Sequence, residues 1–372
     1  MTRPAGPWSF PGATSGPVRF GLLSGMLTGT RERVRSLSDE AASRVQISPD
    51  QVEYLIATAA RAPSIHNTQP WRFHASQYSI ELYADPGRKL RVDPLGRELL
   101  ISCGAALFGL RLGMRSLAYM PAVELLPDPA RLRLLARVSL GEPEPMNAAE
   151  RRMLEALPHR HTHRGPFAPG ALPAGLLAGL QHDALAEGAT LALVDRAHAY
   201  EQLADIAAAV TRRQDLDPQA RADMRDWTRD PASHAHDGVP SSAFATAADR
   251  HRGRLPQRDF DLGRGLGLLG TGGPPPAATA VLLTPGDGRG DWLCAGQALD
   301  RVLADAASRW VFASMHTQPL EAAVIRELIR DRLALPGAPQ MILQLGLARS
   351  THVTARRPPS ELLEPDAPGK AR

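Results

Sequence analysis

Two stretches of this chain, residues 99–110 and 292–303, are apolar on nearly every side at helical length. A helix without a polar face has to be buried, so both predict core helices. They also correspond to one another: Gly104 and Leu107 align with Gly296 and Leu299. A strand-like run precedes each, 79–84 and 279–284. After a proline-containing loop and a second helical stretch, a short apolar strand ending in glycine follows each, 134–141 and 340–346. The same helix-plus-strand unit in the same order predicts internal duplication. Strands mix with helices of ten or more residues without strict alternation, so the expected fold class is α+β, a sheet flanked by helices. The glycine-rich stretches 263–267 and 270–273 have no strand running into them and prolines after them. They read as flexible loop, not as a dinucleotide-binding turn.

Composition narrows the picture. At 372 residues the chain can bury a large core in two domains or one large one. The net charge of +4 looks basic, yet Lys89 and Lys370 are the only lysines and the arginines are interspersed with acids. Aromatics make up 5%, too few to interleave a basic surface for nucleic acid, so no nucleic-acid partner is expected. Cys103 and Cys294 lie far apart in apolar helical surroundings and read as buried, inert thiols. No run of 18 apolar residues appears, so no membrane span or membrane partner is expected. The Gly/Pro/Ser/Thr-rich beginning lacks the marks of a secretion signal, which leaves the cytoplasm as the expected location.

The most informative local stretch is 59–73. A short helical run (48–60) ends, and Pro63-Ser64 turns the chain. Ser64, Asn67 and Gln69 then offer hydrogen-bonding side chains before Pro70, Trp71 and Arg72. Pro63 and Pro70 fix φ and push their predecessors out of the helical region, so the loop is rigid. Rigid loops carrying polar groups are where planar polar ligands are read. The stretch resembles the flavin-contacting loop of the nitroreductase family of FMN proteins. Its form from His66 to Trp71 is similar to the Acg-type branch, in which one long chain carries two nitroreductase-like halves.

A second signal lies at 159–167, after an amphipathic helix (148–157) and Pro158. Arg160 and Arg164, four apart with Thr162 between them, form a plausible phosphate cradle, since guanidinium groups present paired planar donors. The run resembles the family's Arg-Arg-Ser-x-Arg phosphate motif, with His161 where the family has its second arginine. Arg356 and Arg357 follow the final strand, where family members carry another phosphate-binding cation. The first half has the loop without a fork, and the second half the fork without a loop. The chain thus holds the parts of one complete site, its twin having decayed.

The resemblance implies two fused halves forming an internal pseudo-dimer, with FMN at their junction. It implies NAD(P)H as electron donor and a nitroaromatic, quinone or similar small molecule as acceptor. Pro63 and Ser64 would press on the ring, Asn67 and Gln69 would meet its pyrimidine edge, and Arg72 is a candidate cation near N1. Arg160, Thr162, Arg164, Arg356 and Arg357 would serve the phosphate. Trp71 reads as a packing anchor. The flavin itself carries the chemistry, so no side chain is assigned as catalytic. The alternating His159, His161 and His163, and the 233–237 run, could supply nitrogen ligands, but prolines bracket the first run closely and no metal site is assigned. Ser64 beside His66 has no glycine elbow or oxyanion motif for hydrolysis.

The expected boundaries are a flexible extension 1–46, a first half 47–145, a second half 146–357 and a tail 358–372. A long polar segment, about 212–276 and including Phe244, reads as a lid. A permanently closed lid would make the protein a flavin-sequestering store with little reductase activity. The chain is expected to act as a monomeric pseudo-dimer or as a homodimer.

Overall fold

The structure, a computed structural model, describes residues 45–243, 255–266, 275–348 and 354–364. The expected extension up to residue 44, Phe244, the glycines from 267 to 273 and the last eight residues lie outside the described residues. Helix α1 (Pro49–Ala59) starts at Ser48, whose hydroxyl accepts from Gln51 N while the Gln51 side chain accepts from Ser48 N. This reciprocal cap, with Pro49 in the first turn, satisfies donors that a helix start leaves open. Strands β1 (Trp71–Ala75) and β2 (Ile80–Ala84), helix α2 (Arg97–Ser116), and strands β3 (Tyr119–Leu125) and β4 (Leu134–Pro143) complete the first unit. Helix α3 (Ala148–Ala156) leads to a second unit of α4 (Leu176–Ala186), β5 (Thr190–Leu193), β8 (Ala278–Thr284), α7 (Arg289–Ser308), β9 (Val311–His316) and β10 (Ala338–Leu347). Inserted after β5 are α5 (Ala197–Gln214), α6 (Pro218–Asp226) and the short parallel pair β6 (Thr228–Arg229) and β7 (Val239–Pro240). Helix α8 (Ala323–Arg332) lies between β9 and β10, and α9 (Pro359–Leu362) follows them.

The duplication expected from the pattern is visible in the topology. One antiparallel sheet runs β1-β2-β4-β3 and the other β5-β8-β10-β9. Matched element by element, both place first strand, second strand, last strand and third strand in that order. The fold is α+β.

The two core helices α2 and α7 cross at the glycines that the sequence aligns. A Cβ added to Gly104 would overlap the Leu293 carbonyl, and one added to Gly296 would overlap the Ile101 carbonyl. Residue 293 precedes 296 by three, as 101 precedes 104. The contact therefore maps onto itself when the halves are exchanged, as an isologous dimer interface does. Helix α2, 20 residues long, is apolar and long enough to cross a membrane, but it is almost wholly buried inside the protein. It is a core helix packed on its counterpart.

Two departures from symmetry shape the functional region. The β1–β2 hairpin uses only residues 76–79, whereas β5 and β8 are separated by residues 194–277, so the insertion begins earlier than the expected lid. Conversely, α1 and β1 are joined by residues 60–70, whereas α4 reaches β5 through residues 187–189. The C-terminal stretch docks on β1: Glu364 N donates to Phe73 O at 2.7 Å, Leu363 pairs in parallel with Phe73, and Leu362 is buried.

Candidate functional site

The 60–70 connection is held in an unusual conformation. His66, Asn67 and Gln69 have φ of 47°, 54° and 48°. Left-handed backbone costs a non-glycine residue about 1–3 kcal/mol and persists only where the surroundings impose it. Here Asn67 N and Thr68 N donate to Ser64 O and Ile65 O, and Gln69 N donates to Ser64 Oγ at 3.0 Å. Ile65 N donates to Ser102 Oγ on α2 at 3.2 Å, and Trp71, which anchors the exit, is wholly buried.

This bend forms one wall of a cavity of about 820 Å³, counting the part open to solvent. The walls come from both halves. Pro63, Ser64 and Ser102 belong to the first; Thr162, Arg164, Leu299 and Ser314 belong to the second. The insertion adds a cover through Gln257, Arg258 and Phe260. Arg164 lies over the Phe260 ring, 5.0 Å from its centroid, and burial, with Arg258 nearby, pushes its guanidinium down to about 10.

Glu98 also lines the cavity. Both carboxyl oxygens are buried without a hydrogen-bond partner, and burial, then the charge of Glu321, pushes the acid up to about 8. His66, also lining the cavity, has neither ring nitrogen partnered and stacks edge-on against Phe260 at 5.3 Å. Burial, with Arg258 and Arg164 beside it, holds its pKa well below the usual histidine value.

Behind the bend lies a buried guanidinium cluster. Arg160 Nη2 donates to Arg61 O at 3.0 Å, while Nε and Nη1 have no hydrogen-bond partner. The carboxylate beside it, Asp300 on α7, is fully buried with Oδ1 3.7 Å from Arg160 Nε. Arg356 donates to Asn67 Oδ1 at 3.1 Å and leaves Nε unpartnered. Burial, then the charges of Arg160 and Arg61, pushes Arg356 down to about 9. Burial pushes Asp300 up to about 6 against the pull of Arg160 and Arg356. Positive charge thus outnumbers negative in a desolvated place, and the idle donors suit an oxyanion.

No protein-family model matches the sequence. The Mycobacterium tuberculosis (strain ATCC 25618 / H37Rv) protein named "Putative NAD(P)H nitroreductase Rv3131" is 32% identical over 303 residues, 80% of this chain and 86% of that protein. This chain belongs to the NAD(P)H nitroreductase family. A second member from that strain, named "Putative NAD(P)H nitroreductase acg", is 28% identical over 324 residues, covering 85% and 96% of the two chains. A crystal structure titled as a nitroreductase with bound FMN from Desulfitobacterium hafniense DCB-2 is 13% identical and superposes on 55% of this chain with a TM-score of 0.36.

Within this nitroreductase-family chain, Pro63, Ser64, Thr162 and Arg164 line the cavity. The arginine fork does not close as a unit. Thr162 bridges Ala313. Arg160 ends beside Asp300 and Arg164 over Phe260. The amides of Asn67 and Gln69 are bonded within the chain. Asn67 Nδ2 donates to Gly238 O and Ala355 O at 3.0 and 3.2 Å. Gln69 donates to His236 O at 2.7 Å and accepts from Arg357 N at 2.8 Å. Arg72 is likewise turned away, bonded to Asp85 and to Glu361 O. Arg357 is held by Glu361 and by Gln69 O, apart from the idle donors. The expected histidine ligands are bonded locally: His161 Nδ1 meets His159 O, and His163 Nε2 meets Pro166 O.

Sequence reading missed Glu98, Ser102, Arg258 and Phe260. Ser102 had a signal, a hydroxyl inside an otherwise apolar helix. Glu98 and Arg258 had none, because their meeting depends on the insertion folding back over α2.

Proposed function

We propose that this protein is an FMN-dependent NAD(P)H oxidoreductase that passes electrons to a nitroaromatic, a quinone or a similar small acceptor. The observation that carries this reading is the set of idle guanidinium donors at Arg160 and Arg356, bonded to Arg61 O and Asn67 Oδ1 of the same 60–70 connection that walls a cavity lined from both halves. Leaving a buried donor unpaired costs about 1–3 kcal/mol, more for a charged group, and a phosphate would satisfy these. Arg160 and Arg356 would hold the phosphate, with Arg61 adding charge and Thr162 a neutral donor. Pro63, Ser64 and Ser102 would border the ring between the core helices. Bound there, FMN supplies the redox chemistry, taking hydride from the nicotinamide and releasing electrons to the acceptor. The halves 47–145 and 146–357 would be the two contributors to this one site.

The test compares FMN with riboflavin, which lacks the phosphate. Arg160→Ala should weaken FMN about 10- to 100-fold, as expected for losing a charge-assisted bond of about 1.5–3 kcal/mol. Riboflavin affinity should move little. Equal losses for both ligands, or none, would refute the phosphate assignment.

A second reading, flavin sequestration, is favoured by the fastening of the insertion over the bend. Asn67 and Gln69 bind the backbone of 236–238, and Asp237 bridges Arg88 and Arg229 at 2.8 and 2.7 Å. Anaerobic mixing of the yellow protein with NADPH or NADH separates the two. Rapid bleaching supports the oxidoreductase; unchanged absorbance that dithionite still bleaches supports the store.

A further inference from the structure

Glu98, which lines the cavity, has no role in holding FMN by its phosphate, yet both its carboxyl oxygens lack a hydrogen-bond partner. Glu98 opens α2 and is 4% exposed, and its nearest cation is Arg97 Nη1 at 4.0 Å. Arg97 is engaged elsewhere, its Nε donating to Gln340 Oε1 at 2.9 Å. Four charged groups face Glu98. Asp93, ahead of the helix, accepts from Arg97 N and Leu99 N at 2.8 and 3.0 Å. Glu321 is paired directly with Arg258 from the insertion. Arg97 lies on Glu98's own helix. Three carboxyls thus face two guanidiniums in a desolvated setting, so one carboxyl keeps its proton, and Glu98 is the one whose two oxygens accept no hydrogen bond.

A neutral carboxylic acid is a donor, and here its proton meets no acceptor among the described residues. The same cavity carries the apolar side chains of Ile65, Ile101, Leu299, Met315 and Met341 among polar ones such as Ser102, Thr317 and Arg258. Apolar surface with one O–H donor beside it fits a flat molecule that presents an acceptor oxygen at its edge. Resting on the flavin reading above, we propose that Glu98 is the acid that protonates the electron acceptor, a quinone or nitroaromatic seated in this cavity. For a quinone, two-electron reduction adds one hydride and one proton to give the hydroquinone. NAD(P)H, through the bound cofactor, supplies the hydride with its electron pair. The Glu98 O–H bond breaks, an O–H bond forms on the quinone oxygen, and water reprotonates the carboxylate. General acids of this kind contribute about 10²–10⁴-fold.

The test uses FMN-loaded protein and two acceptors, 1,4-benzoquinone and ferricyanide, the latter taking electrons without a proton. In Glu98→Gln, which keeps the shape and removes the transferable proton, the ratio of quinone to ferricyanide rates should fall about 100-fold. In the unaltered protein the same ratio should decline as pH rises through about 8, a measurement that needs no variant. The carboxylic-acid infrared band of Glu98, identified by its loss in Glu98→Gln, should move when benzoquinone is added to the oxidised protein. A pH-independent ratio, a variant ratio equal to that of the unaltered protein, or a band already moved by FMN alone would overturn the proposal. Failure to take up FMN would overturn the underlying reading, and this one with it.

Discussion

Glu98, Asp300 and His316 are buried deeply enough to favour their neutral forms, and this gives the protein a two-sided dependence on pH. Glu98 and Asp300 are pushed up to about 8 and about 6. The folded chain therefore holds protons that the unfolded chain has released, and stability falls as pH rises through those windows. His316, pushed down to about 4 by burial, acts oppositely. Its unfolded form takes up a proton below about 6.5, so stability falls as pH drops from there towards about 4. Between about 6.5 and about 8 the Glu98 contribution stands without opposition from His316. The melting temperature of the flavin-free protein should decline over that interval, and Glu98→Gln should flatten the decline. Thermal melts at a series of pH values check this; an unchanged slope in the variant would show Glu98 already ionised. The residue scale was also where sequence told least. Asn67 and Gln69 carry amides that suit a heterocycle edge or a backbone equally, and only the packed chain shows them bonded to 236–238 and 355–357.

Elements were more legible, for a physical reason. Helices α2 and α7 announce themselves because a helix apolar on all sides has no stable place but the core. Strands β2, β4, β8 and β10 follow from short apolar runs between turn signals. The equivalence of Gly104 and Gly296 was readable as an alignment, but its meaning, backbone against backbone, was not. Gly104→Ala tests that contact. Its methyl would strike the Leu293 carbonyl, which cannot swing aside as a side-chain tip could. Overpacking of this kind costs about 1–3 kcal/mol and occasionally more. Urea unfolding should show a loss at or above that range. FMN affinity should fall as well, since Ile101 and Leu299 beside the crossing wall the cavity. A variant with unchanged midpoint and affinity would mean the helices separate easily.

At the scale of the whole molecule, the halves share one topology and differ in what they attach to it. The first keeps the strained bend and the second carries the insertion that closes over it. Asp237 joins these attachments through Arg88 on one side and Arg229 on the other. Asp237→Ala should free the 236–238 strap and speed FMN release about tenfold, corresponding to about 1.4 kcal/mol of lost cover. Dilution into excess riboflavin, followed by flavin fluorescence, measures that rate. An unchanged rate would mean that the Gln69 and Asn67 bonds suffice alone. The division of labour between halves was visible in sequence as a loop without a fork and a fork without a loop. The tertiary spread of that fork was not, because one arginine packs beside Asp300 and the other over Phe260 of the insertion, contacts that only the folded chain brings together.

The reciprocal helix crossing has one more consequence. Where two separate subunits wall a cofactor pocket, dilution pulls the walls apart by mass action, and cofactor retention depends on protein concentration. Here both walls travel on a single covalent thread, so the effective concentration of one for the other is fixed by the chain. The pocket should therefore keep its shape, and its grip on FMN, even where only a few copies of the protein are present.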